Sequence, residues 1–144
     1  MSNPTFTIRT FRYPQDYPAV RALWEHSGPG IQLGRSDESQ EIVKKLQRDP
    51  ELFLVAEVDD LIVGVVVGGF DGRRGIVYHL AVNQAYRSRG IAAALMETLE
   101  ERLRAKGCLR SYLLVTKDNA AGMRFYERHG WRRMELFAYG KDLD

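Results

Sequence analysis

A chain of 144 residues with 44% hydrophobic side chains is long enough to bury a core without disulfides or metals. Its 21 basic and 19 acidic side chains leave a net charge of +2, which argues against a nucleic-acid partner or an anionic membrane surface. Cys108 has no disulfide partner, MSNPTFTIRTF lacks the apolar stretch of a signal peptide, and the run Leu61–Val67 is too short to span a bilayer, so a single soluble, cytoplasmic domain over 1–144 is expected.

FTIRTFR (6–12) alternates as a strand does. Tyr13, Pro14 and Pro18 interrupt it, and Tyr17, Val20, Leu23 and Trp24 then recur at helical spacing. After the glycine-bearing loop 26–34, Ser36 or Asp37 can cap a second helix whose apolar face is Ile42, Val43 and Leu46, with Pro50 marking its end. The β-rich runs 51–58 and 61–70, separated by Asp59 and Asp60, predict an antiparallel hairpin. DGRRG (71–75) reads as a further turn, IVYHLAV (76–82) as a third buried strand, 86–107 as a long helix and SYLLV (111–115) as another strand. Strand, helix, strand is a right-handed crossover between parallel neighbours. A helix over 118–130 and a closing strand over 131–143 complete the reading. The fold class expected is α/β (α+β), with a mixed, mostly antiparallel central sheet and one parallel strand pair joined by a helix crossover.

The long helix opens oddly, with Arg87 and Arg89 where the partial positive charge of a helix amino terminus disfavours cations by ~0.3–1 kcal/mol each. A phosphate seated on the free N–H groups, with Gly90 allowing close approach, would reverse that cost. Alternatively, both arginines stand in the loop ahead of the first helical turn and reach solvent. No Walker loop or dinucleotide fingerprint is present, so neither ATP nor NAD is suggested. Among His26, His79 and His129 there is no metal-ligand spacing.

The segment LAVNQAYRSRGIAAAL resembles the acyl-CoA-binding segment of the GNAT superfamily of N-acyltransferases. The signature there is Arg or Gln, two residues, Gly, one residue, then Gly or Ala, and Arg87, Gly90 and Ala92 fill it. NAAGMRFYERHGW (119–131) is similar to that family's N-x-x-A-x-x-x-Y-x-x-x-G followed by Phe or Trp. The resemblance implies a GNAT-like fold and acetyl-CoA as co-substrate, with no metal. It implies that Arg87, Ser88, Arg89, Gly90, Ile91 and Ala92 hold the pyrophosphate, while the strand edge of Leu80, Ala81 and Val82 pairs with the pantetheine arm. A backbone N–H at that edge can stabilise the thioester oxygen when an amine attacks. Tyr126 falls at the family's general-acid position. Asn119, Gly122 or Met123, and Tyr126 share one helix face, so Asn119 is expected to meet the ligand as well.

Gly122 stands where the family usually has Ala, weakening the helix by ~1 kcal/mol while leaving the cofactor more room. The branch that acetylates protein amino termini has a Glu five residues before the Asn; here that position is Leu114, so a general base must come from elsewhere, with His79 and Glu57 as candidates. The closing segment shows no clear turn, which implies an open acceptor site. Without an evident base, an α-amine at ~7.7–8 is an easier nucleophile than a lysine at ~10.4. The reading is therefore acetyl transfer to a small-molecule or peptide amine by direct attack in a ternary complex. A non-catalytic acyl-CoA sensor or interaction module is the alternative. Leu136, Phe137 and Tyr139 are either core or an interface, the second giving a homodimer.

Overall fold

Two aspartates between apolar runs make the expected hairpin: Asp59 and Asp60 adopt φ of 48° and 64°, the left-handed pair that a two-residue turn between twisted strands requires. The computed structural model describes residues 5–144, and in it strand β1 is Thr7–Thr10, β2 Phe53–Val58, β3 Leu61–Phe70, β4 Gly75–Val82 and β5 Ser111–Leu113. They form one sheet in the order β1-β2-β3-β4-β5, antiparallel except for β4 and β5. Helices α1 (Tyr17–Glu25) and α2 (Ser39–Arg48) precede β2, while α3 (Ile91–Ala105) and α4 (Ala120–Arg128) lie either side of β5 in the chain. The β3–β4 turn is held by Asp71, whose Oδ1 accepts the N–H groups of Arg73 at 2.7 Å and Arg74 at 2.8 Å.

Both faces of the sheet are covered, so β2 and β3 read as nearly unbroken apolar runs. Leu54, Ala56 and Val66 pack with Leu95, Met96 and Leu99 of α3, while Phe53, Val55 and Val67 pack on the other face with Val20 and Trp24 of α1 and Ile42 of α2. This is the period-two alternation of a strand. The helix α3 sits unusually close: a methyl built on Gly68 would lie 2.6 Å from Leu99 Cδ1, and one on Gly64 would lie 3.1 Å from both Ile91 Cγ2 and Leu95 Cδ1. Because Gly64 also pairs with Val82, this packing brings the amino terminus of α3 to the end of β4.

Two local expectations fail. Neither Ser36 nor Asp37 caps α2; both lie in a 3-10 turn, Arg35–Asp37, and the helix begins at Ser39 after Glu38. The Asp37 carboxylate is occupied elsewhere, by the Gly34 N–H and by His79. The closing strand over 131–143 is absent. β5, the strand nearest to it in the chain, is three residues long, and a ladder that short would stabilise little. Leu136, Phe137 and Tyr139 are accordingly exposed, the last two by 86% and 94%, and are not core. The segment folds back along the surface, where Asp142 and Asp144 reach Arg35 at 3.8 Å and 3.2 Å.

Candidate active site

The site is built on a defect in the sheet. Between the pairs Val67↔Tyr78 and Val65↔Ala81, the residues His79 and Leu80 of β4 face the single Val66 of β3, a bulge at which His79 adopts φ 55°. On its other side β4 meets β5 only through Gly75, Ile76 and Val77, so the edge from Tyr78 to Val82 has no strand partner there. Leu80 and Val82 are half-buried against the α3 face, and Ala81 is buried on the opposite one.

Beyond Val82 the chain makes a 3-10 turn, Gln84–Tyr86, and reaches Gly90 before α3 starts at Ile91. The helix amino terminus has no side-chain cap and no acid in its first turn. Arg87 and Arg89 precede the helix, which resolves the conflict with its dipole: they stand ahead of the first turn. Arg87 donates through Nε to the Val82 carbonyl at 3.3 Å, and Arg89 lies 5.3 Å from the Tyr86 ring centroid. Ser88 at φ 64° and Gly90 at φ 82° curl the loop backbone, and a Cβ built on Gly90 meets nothing within 4 Å. Backbone N–H groups at a helix start, with arginines close by in the chain, are the kind of groups that bind anions. Ile91 is a core residue by its side chain, so only its backbone is available there; Ala92 is half-buried.

Tyr126, on α4, packs against the same buried cluster as Leu80, Val82 and Leu113. Burial pushes its phenol up to about 12, so the hydroxyl keeps its proton throughout the neutral range. Asn119 caps α4, its Oδ1 accepting the Gly122 N–H at 2.9 Å. Gly122 therefore makes room for Asn119 and not for a ligand: a methyl built there would lie 2.4 Å from Nδ2, and one on Gly30 would lie 2.7 Å from the same atom. Alanine gains about 1 kcal/mol over glycine in a helix, but displacing the cap loses a similar amount. Gly122→Ala is thus expected to give no net stabilisation in urea unfolding; a full gain would show that the carboxamide does not hold the cap.

Across the sheet from Tyr126, a cavity of about 330 Å³ is lined by Trp24, Asp37, Lys45, Tyr78, His79 and Leu114 among others. His79 Nε2 lies 2.8 Å from Asp37 Oδ1, and Trp24 donates its indole N–H to the His79 carbonyl at 3.3 Å. Lys45 is held to Asp49 at 3.3 Å, and burial lowers its pKa. Glu57 is withdrawn from the site: its carboxylate takes two bonds from Arg9, which also clamps Asp16. Leu114 reaches the cavity with no chemistry to offer. A larger cavity of about 520 Å³, between the end of α2 and the β3–β4 turn, contains none of the motif residues. The Asp37–His79 contact escapes sequence reading because 42 residues separate the partners and only the bulge aligns them. Among the described residues no His, Cys, Asp and Glu side chains cluster as a metal site, and no helix is long and apolar enough to cross a membrane.

A model of the acetyltransferase (GNAT) family matches residues 15–131. An acetyltransferase from Pectobacterium atrosepticum is 43% identical over 136 residues, spanning 94% of this chain and 94% of its own length. Among solved structures, Ard1 from Thermoplasma volcanium has a TM-score of 0.76 at 28% identity, covering 87% of this chain and 81% of that one. The PaiA N-acetyltransferase from Thermoplasma acidophilum, in complex with coenzyme A, has a TM-score of 0.78 over 92% and 93% of the two chains; at 19% identity that likeness is one of fold. The split sheet, the glycine turn into α3 and a family match across most of the sequence agree, and the chain belongs to the GNAT family as an acetyltransferase.

Proposed function

We propose that the chain transfers the acetyl group of acetyl-CoA to a primary amine of a small molecule or peptide, by direct attack within a ternary complex. The observation that carries this is the uncapped start of α3 beside an unpaired strand edge, with Arg87 and Arg89 at hand. An anion seat and a strand-like edge in that order suit a phosphate-bearing, amide-containing cosubstrate. In this reading the amides of Arg87, Ser88, Arg89, Gly90, Ile91 and Ala92 and the two guanidinium groups bind the pyrophosphate. The edge of Leu80, Ala81 and Val82 hydrogen-bonds the pantetheine amides. Asn119 keeps Oδ1 for the helix and offers Nδ2 to the ligand.

Acetyl-CoA, when bound, supplies an activated acyl carbon and a thiolate leaving group. The chain's part is to hold both reactants in place, to aim a backbone N–H at the carbonyl oxygen, and to give the proton of the Tyr126 hydroxyl to the departing sulfur. At pH 7 an α-amine at ~7.7–8 is neutral far more often than a lysine at ~10.4, so α-amines are the favoured acceptors.

Calorimetric titration with acetyl-CoA tests the seat. The wild-type chain is expected to bind saturably, and Arg89→Glu, which removes a charge-assisted contact of about 1.5–3 kcal/mol, to bind at least ~10-fold more weakly. An equal affinity would take Arg89 out of the site, and no binding by folded wild-type protein would end the acetyl-CoA reading. Thiol release that depends on an added amine separates this enzyme from a sensor that only holds the thioester.

A further inference from the structure

We propose that His79 is the base that receives the proton of the attacking amine, and that Asp37 is the positioning residue that fixes its tautomer. This rests on the acetyl-transfer reading above. Asp37 is buried; its Oδ2 accepts the Gly34 N–H at 2.9 Å and its Oδ1 lies 2.8 Å from His79 Nε2. A carboxylate accepts hydrogen bonds, so the pairing fits a hydrogen on Nε2, and the role proposed here uses the lone pair of Nδ1. Among the described residues nothing is hydrogen-bonded to Nδ1.

The ring is held from two further directions. Trp24 meets it edge-on, with ring centroids 5.1 Å apart, and bonds its carbonyl through the indole N–H. The backbone of His79 sits at φ 55°, a strained conformation for any residue with a side chain, imposed by the bulge that turns this imidazole toward the cavity. A histidine that merely filled space would need neither the bulge nor the desolvated carboxylate. It stands on the unpaired edge of β4, directly before Leu80, so an amine entering from the α1–α2 side meets His79 where the acetyl group is proposed to lie.

The titratable groups around the imidazole are Asp37 from the 3-10 turn, Tyr78 from β4 and Lys45 from α2. Lys45 is paired with Asp49, and Arg21 of α1 stands behind, 3.5 Å from the Asp37 carbonyl. In the step proposed, the amine nitrogen's lone pair forms the C–N bond as the C–S bond breaks, its electrons passing to sulfur. The amine's surplus proton goes to His79 Nδ1 and the Tyr126 proton to sulfur. Imidazolium and phenolate then return to their starting states by proton exchange through solvent, so a neutral amine and a thioester give an amide and a thiol.

The full-length chain is tested in two ways. Two-bond ¹H–¹⁵N correlations of the imidazole are expected to show a protonated Nε2 and a free Nδ1, a preference lost in Asp37→Asn; a proton on Nδ1 in the wild type overturns the assignment. Thiol release with saturating acetyl-CoA is then followed at pH 7, with alanylglycine as an α-amine and Nα-acetyl-lysine as an ε-amine. His79→Gln is expected to lower kcat/KM about 10²- to 10³-fold at pH 7 with an unchanged Kd for acetyl-CoA. Imidazole added to His79→Gln is expected to restore part of the lost rate, as a missing base would allow and a missing packing contact would not. A variant that keeps the wild-type rate, or one whose loss imidazole leaves untouched, overturns the role. A wild type that fails to bind acetyl-CoA removes the acetyl-transfer reading with it, and the calorimetry distinguishes that failure from this one.

Discussion

Tyr126→Phe is expected to lower turnover by about 10²-fold or more while leaving acetyl-CoA affinity unchanged, the signature of a proton donor used only in the transition state. The substitution removes one oxygen from a half-buried ring that packs between Phe125 and Trp131, so the aromatic contacts survive it. Burial pushes the phenol up to about 12, and this fixes the pH behaviour. Below pH 10 the hydroxyl is protonated in folded and unfolded chains alike. Between 10 and about 12 the unfolded chain ionises first, so this group's stabilising effect is lost as pH rises through that window, and the variant escapes that loss. Steady-state kinetics with thiol release, beside calorimetry, decides the matter; an unchanged kcat would remove Tyr126 from the chemistry.

Trp24→Ala should cost about 3–5 kcal/mol, a large share of the ~5–15 kcal/mol that holds a domain of this size together. Only 1% of Trp24 is exposed, and its ring lies 6.2 Å from that of Phe53, which stacks on Phe11 at 4.0 Å. The indole also ties α1 to the carbonyl of His79, so its loss should loosen the bulge as well as empty the core. Urea unfolding reads the first effect, and the imidazole resonances of His79 read the second. A loss below about 1 kcal/mol would mean that the core closes over the gap.

How much of this was legible in the sequence depends on how local each signal is. The hairpin at Asp59 and Asp60 and the crossover through α3 follow from turn chemistry and periodicity within a few residues, and both are present, although the helix expected from 86 begins at Ile91 after Gly90. Of the motif residues, Arg87 bonds the Val82 carbonyl and Tyr126 packs against the cluster that includes Leu80 and Val82, while Asn119 is engaged as a helix cap. The expected closing strand is missing because alternation from Trp131 onward suits a strand only where a partner is there, and β5 ends after Leu113. Glu57 looked available because nothing near it in sequence announces Arg9, 48 residues away. The Asp37–His79 pair needs a bulge to exist, and a bulge has no mark in a run such as YHLAV.

A sheet that parts between two of its strands keeps unused hydrogen-bonding groups in the middle of the fold, between Tyr78 and Val82. To a passing segment of another chain, such an edge is as good a template as it is to a thioester arm. Whatever occupies it adds RT ln(1 + [L]/Kd) to the free energy of unfolding. If acetyl-CoA is that occupant, as proposed above, durability in storage or in a cell extract is tied to its saturation, and a preparation stripped of small molecules is expected to age faster than one left with them.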